Sequence, residues 1–447
     1  MPWTPGCRGY EPRRTPAPGT PRRHAVSLSL CWRALAVGLL LAGPLLLPQG
    51  HWLAIGLLAV VGVVRWQAGR AEGSGKRQDA PLLLMLLTLA AALVVSGLWH
   101  GGLSRVWPVV LMALCCILAL RGLHALRPRI TWLWGGLVLA GVGSGVTGAW
   151  LRWEEGHGRV RGLWEVNAIL YGNIALLAGL LCLAGLCWAW RRPRRTLWLS
   201  FLAAGALGGL LASAVSGSRG GWLALPLAAG VFAAAVPRRA WRLRHAGIVA
   251  LLVLLLAGLY AWPGTGVQRR VGLALKEVAA YRAGESTGSV GARLEMYRGA
   301  AWLIAERPLP GVGPTGYRPA MQALVAQGRL PEGSERFWHA HHDLLDAWVR
   351  HGLLGLIAVL LAYAVPLWRF LPGLRAPDPT RRALCVAGTL LPICYLAFGM
   401  SYTLLAYPLG VAVYGGWLAL LWVQLAVLDA AAPRPPPLYA SSLKQAK

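Results

Sequence analysis

The chain has 447 residues, of which 56% are hydrophobic and 13% charged, and it carries a net charge of +28. A soluble globular protein has about 25% charged residues, and a disordered chain needs low hydrophobicity, so this composition excludes disorder and points away from a soluble domain. The basic residues punctuate apolar runs instead of decorating a polar surface, which argues against a nucleic-acid partner.

A bilayer core of roughly 30 Å is crossed by about 20 apolar residues in a helix. Apolar runs occur at 34–48, 52–64, 80–98, 107–120, 130–150, 164–189, 197–215, 222–236, 246–262, 352–368, 383–401 and 405–428. The chain is therefore expected to be an all-α polytopic membrane protein with about twelve transmembrane helices. Tryptophans such as Trp52, Trp66, Trp99, Trp107, Trp153, Trp164, Trp222 and Trp262 sit at run ends, where interfacial aromatics belong. The first run starts late and has no small-residue cleavage site, so it is read as a span and not a signal peptide.

With the N-terminus inside and the spans alternating, the inside segments hold 28 Lys and Arg. The outside segments hold 16, and 11 of those lie in the one long loop, 263–351. Long loops translocate whatever their charge, and the short loops then all obey the positive-inside rule. The basic excess is thus a topology signal and an attraction to anionic membrane lipids. None of the eight cysteines falls in an outside loop, so no outer-face disulfide framework is expected.

Polar residues concentrate in three outside segments. The segment 150–164, WLRWEEGHGRVRGLW, carries Arg152, Arg159 and Arg161. The turn SGSRGG at 216–221 sets Arg219 between two apolar runs. Such an Arg is either snorkelling to the interface or clamping an anion, with glycines that let backbone N–H groups approach and a helix N-terminus that favours phosphate. The long loop is predicted to hold an amphipathic helix at 267–283 and a second helix from Ser289 to Glu306. A Gly/Pro turn, PLPGVGPTGY, and a short helix near 318–327 follow. Arg293 and Arg298 lie five apart and share no helical face; each can also be read as a solvated position, the reading favoured for Arg298.

The loop ends in HAHHDLLDAWVRHGLLGL, 339–356. Three readings of this cluster compete: exposed imidazoles at a polar helix start, a metal site in which His339, His342 and Asp346 share a face, or a general base. A His beside a helix N-terminus and arginines has its imidazolium disfavoured and stays able to accept a proton. Arginines suit a diphosphate, a sugar leaving with a diphosphate wants its charge stabilised, and an acceptor hydroxyl wants a base. Together these suggest glycosyl transfer from a polyprenyl diphosphate. A non-enzymatic lipid transporter would place charges near the bilayer midplane; here they gather at one surface.

SGSRGG, GARLEMYRGA at 291–300, PLPGVGPTGY at 308–317 and the His-rich 339–356 segment occur in the order and spacing of bacterial O-antigen ligases, and the chain resembles that family over roughly residues 150–365. The family shares a superfamily with O-antigen polymerases and protein O-oligosaccharyltransferases, which use the same class of donor. The resemblance implies a multispanning glycosyltransferase that moves O-antigen from undecaprenyl diphosphate to lipid A-core on the periplasmic side of the inner membrane, with no metal, no cofactor and no nucleic acid. It implies His341 as the base, followed by His342 where the family usually has Asn, Ser or Gln, and Arg219 and Arg293 as catalytic arginines. Arg161, Arg159, His339, His342 and Tyr317 are the expected substrate-binding residues. The expected organisation is a basic cytoplasmic segment at 1–33, helices one to nine within 34–262, the periplasmic loop at 263–351, helices ten to twelve within 352–428 and a cytoplasmic tail at 429–447.

Overall fold

The computed structural model describes residues 22–67, 76–154, 159–164, 167–236, 267–283 and 288–431. All regular structure among them is helical. The helices are α1 (Arg22–Leu46), α2 (Gly50–Gln67), α3 (Lys76–Trp99), α4 (Leu103–Leu126), α5 (Ile130–Glu154), α6 (Ala168–Ala189), α7 (Arg195–Ser216), α8 (Ala224–Ala234), α9 (Val267–Arg282), α10 (Gly288–Glu306), α11 (Tyr317–Ala326), α12 (Asp343–Phe370), α13 (Pro379–Gly399) and α14 (Pro408–Ala431), with a 3₁₀ turn at Arg219–Leu223 before α8.

Nine helices among the described residues are long and apolar enough to cross a bilayer, and Leu30–Leu46 and Gly220–Ala234 form two shorter apolar helices. The chain is a multi-pass α-helical membrane protein. The expected span 246–262, the segment before residue 22 and the tail beyond 431 lie outside the described residues.

Burial separates the helices into a centre and a rim. The apolar stretches of α6, α13 and α14 are 83%, 83% and 89% buried, whereas those of α2 and α7 are 33% and 39% buried. The central helices are apolar all round, as a helix enclosed by others must be. Lipid tails are as apolar as leucine, so packing and interhelical hydrogen bonds hold such a bundle together. Two such bonds here are Trp417 Nε1–H to the Leu40 carbonyl (3.0 Å) and Gln424 Nε2–H to the Pro128 carbonyl (2.6 Å).

The connections 47–49, 100–102, 217–223, 339–342 and 400–407 meet at one end of the bundle. At that end Trp164 Nε1–H donates to the Leu46 carbonyl, Arg159 reaches Ser216, and Ser96 of α3 meets Arg350 and His351 of α12. The opposite end is tied by Arg369 and Arg381 to Asp429.

Two expected boundaries move. The tenth span was expected to begin at 352, but α12 begins at Asp343 and breaks at Gly352, where φ is +65° and ψ is −161°. Only glycine adopts that conformation readily. The break frees backbone groups, which need partners, and the 308–317 turn supplies them. Val312 N–H donates to the Val349 carbonyl (2.8 Å), Gly313 N–H to the Arg350 carbonyl (3.0 Å), and Leu353 N–H to the Leu309 carbonyl (3.2 Å). The Gly/Pro turn and the interrupted helix are therefore one structure. The last span was expected from 405; it starts at Pro408 because 400–407 form a loop at the site end.

The outer segment has its own small core, in which Ala300, Leu303 and Ile304 of α10 and Tyr317, Met321 and Leu324 of α11 pack with Ala340 and Val349. This core seats the 339–342 segment on α12.

Candidate functional site

His341 is the centre of the arrangement. Its φ is +51°, an uncommon value for a residue with a Cβ that costs on the order of 1–3 kcal/mol and persists only where the surroundings impose it. The ring lies edge-on to Phe337 (5.5 Å between centroids) and to Tyr402 (5.4 Å). Tyr402 stacks on Tyr407 at 5.6 Å, and Tyr407 lies 5.5 Å from His339. The Tyr297 hydroxyl donates its one proton chiefly to the Met400 carbonyl at 2.7 Å, with the His341 carbonyl as the weaker, shared acceptor at 3.4 Å. One tyrosine of α10 thus pins His341 to the 400–407 loop.

Burial pushes the His341 imidazole down to about 4, and the nearby Arg293 and His339 push it further in the same direction, against Asp346. The ring is neutral at pH 7. The sequence attributed this neutrality to a helix N-terminus and arginines; the larger cause is desolvation, which disfavours the charged form. Arg293 stands close enough to act on this ring, so α10 and the His341 segment bring together two of the expected catalytic residues.

The neighbouring histidines are engaged elsewhere. His342 caps α12, its Nδ1 accepting from Leu345 N–H at 3.5 Å, and its ring meets Tyr297 at 5.5 Å. His339 Nδ1 lies 3.1 Å from Arg350 Nη1 and 3.4 Å from Asp346 Oδ2. The shared metal-binding face drawn from helical spacing does not form, because His342 turns to the cap while His339 sits before the helix. No group of three His, Cys, Asp or Glu able to hold a metal ion occurs among the described residues.

Arg219 opens the 3₁₀ turn; its side chain lies outside the described part of the structure. The backbone is tightly held. Gly217 ends α7 with φ +68°, Ser218 N–H donates to Ser216 Oγ at 3.2 Å, and Ser218 Oγ donates to Asn173 Oδ1 at 3.1 Å. The next two residues are glycines because their neighbours leave no room: a Cβ on Gly220 would lie 1.8 Å from Ser401 Oγ, and one on Gly221 would lie 2.2 Å from Asn173 Oδ1. Ser401 precedes Tyr402, so the same loop touches both the Arg219 turn and His341.

The other expected residues separate. Arg159 is exposed and its Nε donates to the Ser216 carbonyl at 3.4 Å, closing the end of α7 beside the Arg219 turn. Arg161 is exposed at the same end. Tyr317 is 1% exposed, and its hydroxyl donates to the Met296 carbonyl at 3.3 Å. The structure therefore gives Tyr317 a place inside the outer core, fastening α11 to α10, and not on a substrate-facing surface. Arg298 is stacked over Trp302 at 4.6 Å.

Sequence reasoning missed the 400–407 loop, Tyr297 and Asn173. The loop's signal was slight: only residues 402–404 separate the two apolar runs, and Tyr407 and Pro408 fall within the second run.

Residues 204–360 match the model of a family described as O-antigen ligase. That stretch runs from within α7 into α12 and contains Arg219, Arg293 and His341. An O-antigen ligase of Escherichia coli is 27% identical over 117 residues, 26% of this chain and 28% of that protein. Over these stretches the chain is similar to the O-antigen ligase family. An uncharacterised protein of Haemophilus influenzae is 26% identical over 248 residues, 55% of this chain and 62% of that one. The chain thus spans less than two thirds of the length of each of these relatives. The 400–407 loop lies outside the part that matches the O-antigen ligase family, although it contacts both sides of the site.

Proposed function

We propose that this protein is an O-antigen ligase that transfers O-antigen polysaccharide from undecaprenyl diphosphate to a sugar hydroxyl of lipid A-core. The reaction takes place at the periplasmic face of the bacterial inner membrane, with both termini in the cytoplasm. The observation that carries this reading is a neutral, partly buried imidazole at His341, influenced by the Arg293 guanidinium, inside the stretch that matches the O-antigen ligase family.

His341 takes the proton of the acceptor hydroxyl, and the oxygen attacks the anomeric carbon of the donor sugar as the bond to the diphosphate breaks. The single displacement inverts that carbon, and undecaprenyl diphosphate departs with the bonding electrons. Arg293 and Arg219, with Arg161 and Arg159 at the rim, hold the diphosphate and offset its growing charge. An imidazole pushed this low is a weak base alone. The diphosphate supplies negative charge near it, which opposes the effect of Arg293 and strengthens the base when the donor is in place.

A general base contributes about 10²–10⁴-fold. His341→Ala is therefore expected to lose that factor in a reconstituted assay with undecaprenyl-diphosphate-linked O-antigen and lipid A-core, while keeping its thermal transition. Normal decoration of lipid A-core by that variant would refute the assignment. Transfer is expected to persist in excess chelator. A lengthened donor glycan in place of decorated lipid A-core would make the protein a polymerase.

A further inference from the structure

The left-handed backbone at His341 needs something to hold it, and the bonds to both flanking residues come from one side chain and its own backbone. Asp346 Oδ1 accepts from Ala340 N–H at 3.0 Å, and Asp346 N–H donates to the His342 carbonyl at 2.8 Å. These two bonds close a ring of chain around His341. Ala340 is 0% exposed and Asp346 is 3% exposed, so water does not replace either bond.

The second carboxylate oxygen is anchored in turn. Asp346 Oδ2 accepts from Arg350 Nη1 at 3.2 Å. Arg350 reaches the Pro314 carbonyl through Nη2 at 2.7 Å and Nε at 3.2 Å. The clamp therefore runs from the backbone before His341, through a buried ion pair, to the turn that fills the Gly352 break. A carboxylate accepting charged and backbone donors makes the stronger class of hydrogen bond.

We propose that Asp346 is a positioning residue for the transfer reaction, acting through the Ala340 N–H to hold the His341 backbone in the conformation that aims its imidazole. This rests on His341 being the base. Asp346 touches no substrate in this account; it fixes the direction from which the base approaches the acceptor hydroxyl. A small misplacement of a reacting group costs far more rate than binding.

The test compares Asp346→Ala, Asp346→Asn and His341→Ala in purified full-length protein, with undecaprenyl-diphosphate-linked O-antigen and lipid A-core. Asp346→Ala is expected to lower kcat by about 10²-fold with the donor KM changed by less than about threefold, since positioning acts on the reacting geometry. Asp346→Asn keeps an oxygen for the Ala340 N–H but loses the charged acceptor of Arg350, so it is expected to have a lowered thermal transition and yet recover a clear part of the kcat that Asp346→Ala loses. A purely structural role would lower the thermal transition of both variants alike and give no advantage to Asn. Asp346→Asn as impaired as Asp346→Ala, or Asp346→Ala at full kcat while His341→Ala is inactive, would overturn the positioning role alone. An active His341→Ala would overturn the reading of the base and the positioning role with it.

Discussion

His341 and Arg219 belong to the same end of the bundle, yet the chain holds them by different means. On the His341 side, directional bonds between side chains and backbone enforce an unfavourable φ: Asp346 to Ala340 N–H, Tyr297 to the His341 carbonyl, and the 308–317 turn stitched into the Gly352 break. On the Arg219 side the fixing is mostly steric, with two glycines pressed against Ser401 and Asn173 and one short hydrogen-bonded path through Ser218. Polar bonds tolerate isosteric exchange as long as the donor or acceptor survives. A backbone pressed against its neighbours tolerates no added atom unless the neighbour is trimmed. The two sides should therefore answer mutation differently, and the difference can be measured.

The largest effect is expected at Gly352. A Cβ there would lie 1.8 Å from the Leu309 carbonyl oxygen at a φ of +65°. Backbone cannot move aside as a side-chain tip can, so Gly352→Ala should part the turn from the helix and remove partners from three backbone bonds. Strain of this kind costs on the order of 1–3 kcal/mol before the clash is counted. The expected outcome is a lowered thermal transition together with transfer reduced at least as much as in Asp346→Ala. A Gly352→Ala variant with unchanged melting and transfer would show that the break does not support the site.

Gly220→Ala should be the next most damaging, because its Cβ would lie 1.8 Å from Ser401 Oγ and 2.6 Å from Ser401 Cβ. A tenfold loss corresponds to about 1.4 kcal/mol in the barrier, and a loss of that order is expected in transfer. The obstacle here is a side chain, so adding Ser401→Gly should restore most of the rate. Failure of the double variant to recover would mean that the turn depends on something other than the contact with Ser401.

Much of this arrangement was legible in the sequence. The apolar runs gave the helices because lipid demands length and composition, and polar residues stood out against them, which marked 216–221 and 339–346. The partnership of PLPGVGPTGY with Gly352 was not legible, because it is a backbone pairing across more than 30 residues and leaves no side-chain pattern. Tyr317 was misplaced for the converse reason: a tyrosine at the end of a polar motif looks available, but its ring is needed in the outer core. The neutrality of His341 was anticipated, but its main cause was not, because burial depends on the distant 400–407 loop bringing Tyr402 over a ring that Phe337 already flanks.

The pH dependence sharpens the comparison by asking whether both arginines act on one imidazole. With His341 at about 4, kcat/KM, which reports the free enzyme, should stay level as pH falls from neutral and drop only as the ring gains its proton near that value. Arg293 disfavours the charged ring, so Arg293→Met should move the acid limb to higher pH. Arg219→Met should move it in the same direction if its guanidinium faces the same ring, and leave it in place if the Arg219 turn serves the diphosphate alone. An acid limb that Arg293→Met leaves unmoved would mean the limb belongs to another group.

The smallest expected effect is at Arg298, five residues from Arg293 on the same helix. Its side chain is 54% exposed, stacks on Trp302 and stands 3.9 Å from Glu295. Exposed ion pairs contribute about 0–1 kcal/mol, and the remaining contact is a cation over an aromatic ring at the surface. Arg298→Ala should leave kcat, KM and the acid limb unchanged and shift the thermal transition only slightly. Arg293→Ala in the same assay should lose transfer. If the two variants lost activity equally, the loop helix would be acting as a general cationic surface for the donor, and the specific pairing of Arg293 with His341 would have to be given up.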